Sequence, residues 1–208
     1  MESTLTARNL VLLPWLYHGF GTRHTKSDLH TLKQIHSNRV LTANSPGFQG
    51  EADAAITAQP DLAISVRTAD CYPILLADTR NHALAAIHAG WRGTATHIVV
   101  KTLEKMKDEF GTQPADIVAA IGPGIGACCY EVGEEVAREF GFDTRTHLDL
   151  ILENRKQLEA AGVPSEKIEA LGVCTFCDAE RFFSYRRDQK DAGRMTSYIA
   201  IKTEIMPR

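Results

Sequence analysis

Two apolar segments, residues 73–78 and residues 83–88, are separated only by the polar residues 79–82. Their length and aliphatic content predict two strands joined by a tight turn. A turn centred within residues 79–82 pairs position 88 with about position 73, which brings Cys71 diagonally opposite His88. The sequence therefore predicts a hairpin that holds a thiol and an imidazole near one end of a sheet. A buried thiol and a histidine bonded to a backbone carbonyl would fit the same pattern.

The composition narrows the class of protein. With 208 residues, 44% hydrophobic and 24% charged, the chain is typical of a soluble globular protein with one large or two small domains. A net charge of −3 disfavours a general nucleic-acid binder. We find no apolar run long enough for a membrane span and no signal-peptide pattern, so we expect neither nucleic acid nor membrane as a partner.

Five cysteines in a chain without an export signal favour reduced thiols and a cytoplasmic location. Cys174 and Cys177 form a single CxxC motif, whereas a structural zinc site commonly uses two such pairs. Cys128 and Cys129 could supply the remaining ligands. Inert thiols are the favoured interpretation of these four residues, and structural zinc is the alternative.

Hydrophobic periodicity and glycine stops predict one α/β domain over residues 1–208, with mixed β-sheet and helices packed outside it. A helix that starts at Thr94 and ends before Gly111 would bury one apolar stripe. The predicted strands are 10–16, 33–42, 54–57, 62–67, 116–121, 182–187 and 195–202, and two further helices are predicted over 131–140 and 147–161.

Three arginines, Arg186, Arg187 and Arg194, flank the turn of a second predicted hairpin between residues 182–187 and 195–202. Such a cluster is commonly a solvated sheet edge that discourages strand aggregation. It would instead bind an oxyanion if it faced a pocket.

Several motifs in order along the chain resemble one family. They are GTR at 21–23, QIHS at 34–37, EADA at 51–54, TADC at 68–71, HAGWRG at 88–93, IGP at 121–123, CYEV at 129–132 and FFSYRR at 182–187. The chain resembles the YfiH-type family, named for a supposed polyphenol oxidase (laccase) activity and now regarded as purine nucleoside phosphorylases. HAGWRG and TADC are the most specific of these motifs.

The resemblance implies an α/β fold, a layered sandwich of mixed β-sheets with outer helices. It also implies a zinc site formed by His36, Cys71 and His88. Zinc accepts mixed imidazole and thiolate ligands, and three protein ligands leave one coordination position open. The resemblance also implies phosphorolysis of adenosine, inosine, guanosine and methylthioadenosine to base and ribose 1-phosphate, and deamination of adenosine. The implied partners are therefore a purine nucleoside and phosphate.

Phosphorolysis requires cationic groups that position phosphate beside the ribose. Arg23 and Arg92, each in a glycine-flanked loop, are the favoured candidates, ahead of Arg186 and Arg187. Deamination requires a proton shuttle, for which Asp53 and Asp70 are candidates. Either carboxylate could instead orient a histidine ligand.

Two other functions remain open from the sequence. A cysteine and two histidines could hold copper in a polyphenol oxidase, although a laccase adds a histidine-rich cluster and this chain has only eight histidines. A cysteine hydrolase with Cys71 as nucleophile and His88 as base is also compatible with the hairpin. The sequence leaves the oligomeric state open.

Overall fold

The computed structural model describes residues 4–203, which form fourteen strands and six α-helices. The strands are β1 (Thr4–Leu5), β2 (Leu16–Gly21), β3 (Leu32–Lys33), β4 (Val40–Thr42), β5 (Gly50–Glu51), β6 (Ala54–Thr57), β7 (Ile64–Thr68), β8 (Tyr72–Asp78), β9 (Leu84–Ala89), β10 (Ile117–Ile121), β11 (Glu131–Val132), β12 (Thr146–His147), β13 (Ile168–Ala170) and β14 (Met195–Ile201). The helices are α1 (Arg8–Val11), α2 (Trp91–Ala95), α3 (Ile98–Phe110), α4 (Glu134–Arg138), α5 (Leu150–Ala160) and α6 (Tyr185–Asp188).

A six-stranded mixed sheet with the order β13-β10-β8-β9-β6-β4 forms the centre of the molecule. Its middle is the antiparallel hairpin of β8 and β9, in which Pro73 pairs with His88. This pairing confirms the predicted register. Strand β10 is antiparallel to β8, whereas the outer strands β13 and β4 run parallel to their neighbours.

The central sheet is covered on both faces. Successive side chains of a strand point to opposite faces, so β8 contributes Ile74 and Leu76 to one core cluster and Leu75 and Ala77 to another. The first cluster includes Ile98 and Val99 of α3 and Leu158 of α5; the second includes Ile64, Val66 and Ile199 of a four-stranded sheet ordered β1-β2-β14-β7. This arrangement confirms the predicted layered sandwich.

Helix α3 buries the predicted apolar stripe of Ile98, Val99, Thr102, Leu103 and Met106. It ends at a left-handed Gly111, as predicted. The predicted start at Thr94 is wrong, because the short helix α2 comes first and a left-handed His97 separates it from α3.

Two predicted strands near the N-terminus are wrong in extent. Residues 10–16 contain the end of α1, and the strand is β2, which starts at Leu16. Residues 33–42 are extended only at their ends, in β3 and β4. The intervening residues form a loop in which His36 has a φ of 59°. No local pattern indicates this loop, because it is held by a carboxylate distant in sequence.

The predicted second hairpin is also wrong. Strand β14 forms, but it pairs with β2 and β7. Residues 182–187 instead lead into α6, whose N-cap Ser184 accepts a hydrogen bond from the backbone N–H of Arg187. The predicted helices 131–140 and 147–161 are shortened to α4 and α5, since their first residues pair as β11 and β12. No helix within residues 4–203 combines the length and hydropathy that crossing a membrane requires.

Candidate metal centre and substrate pocket

The structure brings together the three residues expected to hold a metal. His36 lies in the loop after β3, Cys71 immediately before β8, and His88 in β9. Their ligand atoms all lie within 4.8 Å of one another. The two imidazole rings are nearly perpendicular, with centroids 4.9 Å apart. His88 is buried, Cys71 is half-buried and His36 is exposed, so the group opens to solvent on one side.

Asp53 organises two of these ligands from beneath. Its fully buried carboxylate accepts a hydrogen bond from Nδ1 of His88 at 2.8 Å. It also accepts from the backbone N–H groups of Ile35, His36 and Ser37 and from the Ser37 hydroxyl. Burial disfavours the charged carboxylate, but the bonds from His88 and Ser37 lower the pKa of Asp53 to about 2. Asp53 therefore holds the loop of His36 and orients the ring of His88.

The thiol and the buried imidazole favour each other's charged forms. Burial raises the pKa of the Cys71 thiol, but the charge of His88 and a hydrogen bond from His36 lower it overall to about 6. Burial likewise lowers the pKa of His88, but Cys71 and Asp53 raise it to about 9. Both shifts favour a thiolate beside a cationic ring in the metal-free protein, and a thiolate is the form that binds metals.

Gly90 leaves the room that the thiolate occupies. A Cβ atom at this position would lie 2.8 Å from Sγ of Cys71 and 3.5 Å from Cδ2 of His36. Its φ of −83° is available to any residue, so the requirement for glycine is one of space.

The donor set fits a divalent transition metal such as zinc. Two imidazoles and one thiolate are ligands that zinc prefers, and three protein ligands leave a coordination position for substrate. The carboxylate on His88 is the partner commonly found behind a metal-bound histidine. His36, Cys71 and His88 are therefore the residues that would hold the metal.

Asp70 braces the loop before Cys71. It has a left-handed backbone with a φ of 84°. Its carboxylate accepts hydrogen bonds from the hydroxyls of Thr175 and Ser184 and from the backbone N–H of Arg186. Because these donors come from the C-terminal part of the chain, Asp70 ties that part to the metal group.

The metal group opens into a cavity of about 1030 Å³. Trp91, Tyr130 and Tyr185 provide aromatic surface in it. Asp70 is the only carboxylate residue among the lining residues that the structure describes. Five cations line the cavity, although the chain is net negative: Lys33, Arg67, Arg92, Arg186 and Arg194. This concentration of positive charge suits an anionic substrate.

The structure distinguishes among the arginines that were expected to bind phosphate. Arg92 lines the cavity, with its guanidinium 4.3 Å from the centroid of the Trp91 ring. Arg23 is outside the lining; its guanidinium donates to the carbonyl of Ala179 and lies over the ring of Phe183. Of the cations ranked lower, Arg186 lines the cavity, whereas Arg187 pairs with the neighbouring carboxylate of Asp188.

Arg67 and Tyr130 also line the cavity, although the sequence did not identify them as site residues. Tyr130 had a signal in the CYEV motif, and its ring lies 5.2 Å from the guanidinium carbon of Arg186. Arg67 ends a sequence predicted only as a strand, so nothing local distinguished it from an exposed strand residue. Two of the three clustered arginines, Arg186 and Arg194, line the cavity, which was the condition for binding an oxyanion.

Comparison with known proteins agrees with this architecture. A family model described as multi-copper polyphenol oxidoreductase laccase matches residues 16–202. The chain is 43% identical over 183 residues to a purine nucleoside phosphorylase of Clostridium acetobutylicum, covering 84% of this chain and 78% of that protein. It is 38% identical over 192 residues to a protein named adenosine deaminase, from an unknown prokaryotic organism, covering 80% and 72% respectively.

The fold is similar to that of a solved structure as well. The crystal structure of the hypothetical protein YfiH from Bacillus licheniformis aligns over 97% of both chains, with a TM-score of 0.87 and 27% sequence identity. The match to the family model covers most of the 208 residues, and it includes all three residues of the metal group. The chain therefore belongs to the YfiH-type, laccase-domain polyphenol oxidoreductase family.

Proposed function

We propose that this protein is a purine nucleoside phosphorylase that converts a purine nucleoside and phosphate to the free base and ribose 1-phosphate. The observation that carries the proposal is that one cavity, lined by aromatic residues, contains both the three potential metal ligands and five cationic side chains. A phosphorylase must bind a flat apolar base and an anion side by side, and this cavity offers surfaces for both. The name of the Clostridium acetobutylicum relative supports the same activity.

Arginine side chains would hold the phosphate. Arg92 follows Gly90 by two residues, and the backbone N–H of Arg186 donates to Asp70, the residue before Cys71. Both guanidinium groups thus extend from backbone anchored beside the metal group. A fixed fork of N–H donors places phosphate next to the ribose and stabilises the charge that develops as the glycosidic bond breaks.

The aromatic residues would bind the base. Trp91, Tyr130 and Tyr185 all line the cavity. Stacking on such rings depends little on which base is bound, because every base has a flat aromatic face. Stacking of this kind fits adenosine, inosine, guanosine and methylthioadenosine alike. We therefore expect broad acceptance of purine nucleosides.

We infer that the metal is zinc, bound by His36, Cys71 and His88. A zinc ion held by these residues would supply Lewis acidity to the bound substrate. Asp53 keeps Nδ1 of His88 occupied as a hydrogen-bond donor and leaves the other ring nitrogen for the metal. Asp70 holds the backbone before Cys71 through the three hydrogen bonds that its carboxylate accepts. We assign both carboxylates as positioning residues, in preference to proton shuttles.

Adenosine deamination is a second candidate activity at the same site. The relative named as an adenosine deaminase supports it. Deamination needs the purine near the metal group, which the shared cavity permits, and it needs no phosphate. The two activities are therefore separable by their dependence on phosphate.

The copper and thiol alternatives fit the structure less well. Within residues 4–203, the candidate metal group of His36, Cys71 and His88 is the one that contains histidine, whereas a laccase requires further clustered histidines. Cys71 and His88 form the charged pair that a cysteine hydrolase needs. However, a metal bound to the sulfur would withdraw it from nucleophilic attack, and His36 has no role in that mechanism.

Chromatography of inosine and adenosine after incubation with the purified protein, with and without phosphate, tests the proposal. We expect hypoxanthine and adenine only when phosphate is present, and inosine from adenosine in either condition if deamination occurs. Release of the base in equal amounts with and without phosphate would contradict phosphorolysis. A parallel incubation of copper-loaded protein with a catechol is expected to give no oxidation.

A further inference from the structure

Four cysteines converge at a place separate from the group of His36, Cys71 and His88. Cys128 and Cys129 precede β11, whereas Cys174 and Cys177 follow β13, so two distant segments contribute the sulfurs. All four Sγ atoms lie within 4.8 Å of one another. The sulfur of Cys177 is 3.3 Å from that of Cys129 and 3.8 Å from that of Cys128. Tetrahedral zinc with Zn–S bonds of about 2.3 Å holds its sulfurs roughly 3.8 Å apart.

The cluster is not explained by disulfide bonding. All five cysteines of the chain are free in the structure, and a sulfur separation of 3.3 Å is far longer than a disulfide bond of about 2.05 Å. The favoured interpretation from the sequence, four separate inert thiols, does not account for their convergence. Separate thiols have no reason to gather from two distant segments at a partly exposed surface.

Backbone amides are directed at one of the sulfurs. The N–H of Gly126 donates to Sγ of Cys174 at 3.2 Å, and the N–H of Cys177 donates to the same sulfur. Such donors stabilise a thiolate, the form that binds metal.

The closeness of the four sulfurs also requires a counter-charge. Four thiolates within 4.8 Å of one another repel, so they need a cation to balance their charge. Gly126 makes the convergence sterically feasible, because a Cβ atom there would lie 3.3 Å from both Sγ of Cys128 and Cβ of Cys174.

We propose that Cys128, Cys129, Cys174 and Cys177 bind a zinc ion through four thiolates, as a structural site. Four protein ligands complete a tetrahedral shell and leave no position for substrate, which distinguishes this site from the group of two histidines and Cys71. Thiolate ligands suit zinc, and the closed tetrahedral set is typical of structural zinc.

A zinc ion at this site would stabilise the two cysteine segments, which contact Asp70 in the lining of the cavity. Between the two cysteine segments, Gly124 pairs with Cys174 as an isolated β-bridge. Next to that bridge, the hydroxyl of Thr175 donates to Asp70, and the N–H of Ile125 donates to the carbonyl of Asp70. A metal joining the two segments would keep Asp70, and with it the loop before Cys71, in place.

Metal analysis of the full chain, purified in zinc-containing buffer and then desalted, tests the proposal. Replacing the two exposed cysteines, as Cys128→Ser with Cys177→Ser, spares the more buried pair. Cys71→Ser is the matched variant for the other group. We expect about two zinc ions per chain in the wild type and about one in each variant. Unchanged zinc content in the Cys128→Ser/Cys177→Ser variant, or iron in place of zinc, would overturn the proposal.

A measurement on the wild-type protein covers the case in which that variant does not fold. Cysteine alkylation, read peptide by peptide with mass spectrometry, is compared before and after zinc is removed with a chelator. We expect all four cysteines to be protected by zinc and to react once the chelator is added. Alkylation of Cys128 and Cys177 that ignores the chelator, or a disulfide among the four, would overturn the site. Because each peptide is read separately, the result is independent of Cys71 and of any nucleoside activity.

Discussion

Asp53 and His88 are joined by a buried hydrogen bond of 2.8 Å between Oδ1 and Nδ1. The same carboxylate binds the backbone on both sides of His36. One side chain therefore sets the direction of one proposed metal ligand and the loop of another. This arrangement explains how a loop with no periodic sequence pattern can hold a ligand in a fixed place.

We predict that Asp53→Asn weakens zinc binding at the His36, Cys71 and His88 group by about tenfold to a hundredfold, because His88 loses its anionic partner. Zinc affinity measured by competition with a chromophoric chelator checks this. Asp78→Asn is the matched control, since Asp78 is equally buried but accepts hydrogen bonds from the turn at Arg80 and Asn81, outside the lining of the cavity. Equal losses in the two variants would contradict the positioning role of Asp53.

We predict that Gly90→Ala weakens zinc binding at the same group by about tenfold or more, because the added methyl group displaces the Cys71 sulfur. Gly133→Ala is the control, since Gly133 precedes a five-residue helix with nearly the same backbone angles and a Cβ there meets nothing within 4 Å. Isothermal titration with zinc compares the two variants. A Gly90→Ala protein with wild-type affinity would show that the space beside Cys71 is not required.

We predict that Arg92→Ala raises the KM for phosphate by about tenfold or more and changes the KM for inosine much less. The reason is that Arg92 lines the cavity beside the metal group, where the anion would bind. Arg23→Ala should leave both constants near those of the wild type, because Arg23 bonds the carbonyl of Ala179 outside the cavity. Steady-state kinetics with varied phosphate separates these outcomes, and a phosphate effect confined to Arg23→Ala would reverse our assignment.

The pH dependence of Cys71 alkylation provides a test on metal-free protein. Because His88 and His36 lower the pKa of Cys71 to about 6, the thiolate should be half formed near that pH, below the usual value of about 8.5. Alkylation read by mass spectrometry should therefore reach its plateau above pH 7, and added zinc should suppress it. A midpoint near 8.5 would contradict the charged pair of Cys71 and His88.

The central hairpin could be predicted from the sequence because its information is local. Apolar strands and a short polar turn fix the pairing of Pro73 with His88, and this pairing places Cys71. The apolar stripe of α3 follows from helical periodicity in the same way. Resemblance to the family, rather than spacing, supplied His36.

The predictions that proved wrong concern features that depend on contacts between residues distant in the sequence. Residues 182–187 have strand-like composition, but Ser184 and Arg186 bond to Asp70, and the chain turns into α6. Arg23 and Arg92 were equivalent candidates as loop cations in the sequence, but only Arg92 lines the cavity. The convergence of the four cysteines, which the sequence left as the less favoured alternative, likewise involves distant segments, joined by the bridge between Gly124 and Cys174.

Phosphorus NMR of inosine incubated with inorganic phosphate follows the proposed reaction at the bond that forms. With the zinc-loaded wild-type protein, we predict ribose 1-phosphate in an amount equal to the hypoxanthine released, and the loss of both products with His88→Ala. The Asp78→Asn protein, altered away from the cavity, should retain both. Hypoxanthine released without a new phosphate ester would indicate hydrolysis and would contradict the assignment of this protein as a phosphorylase.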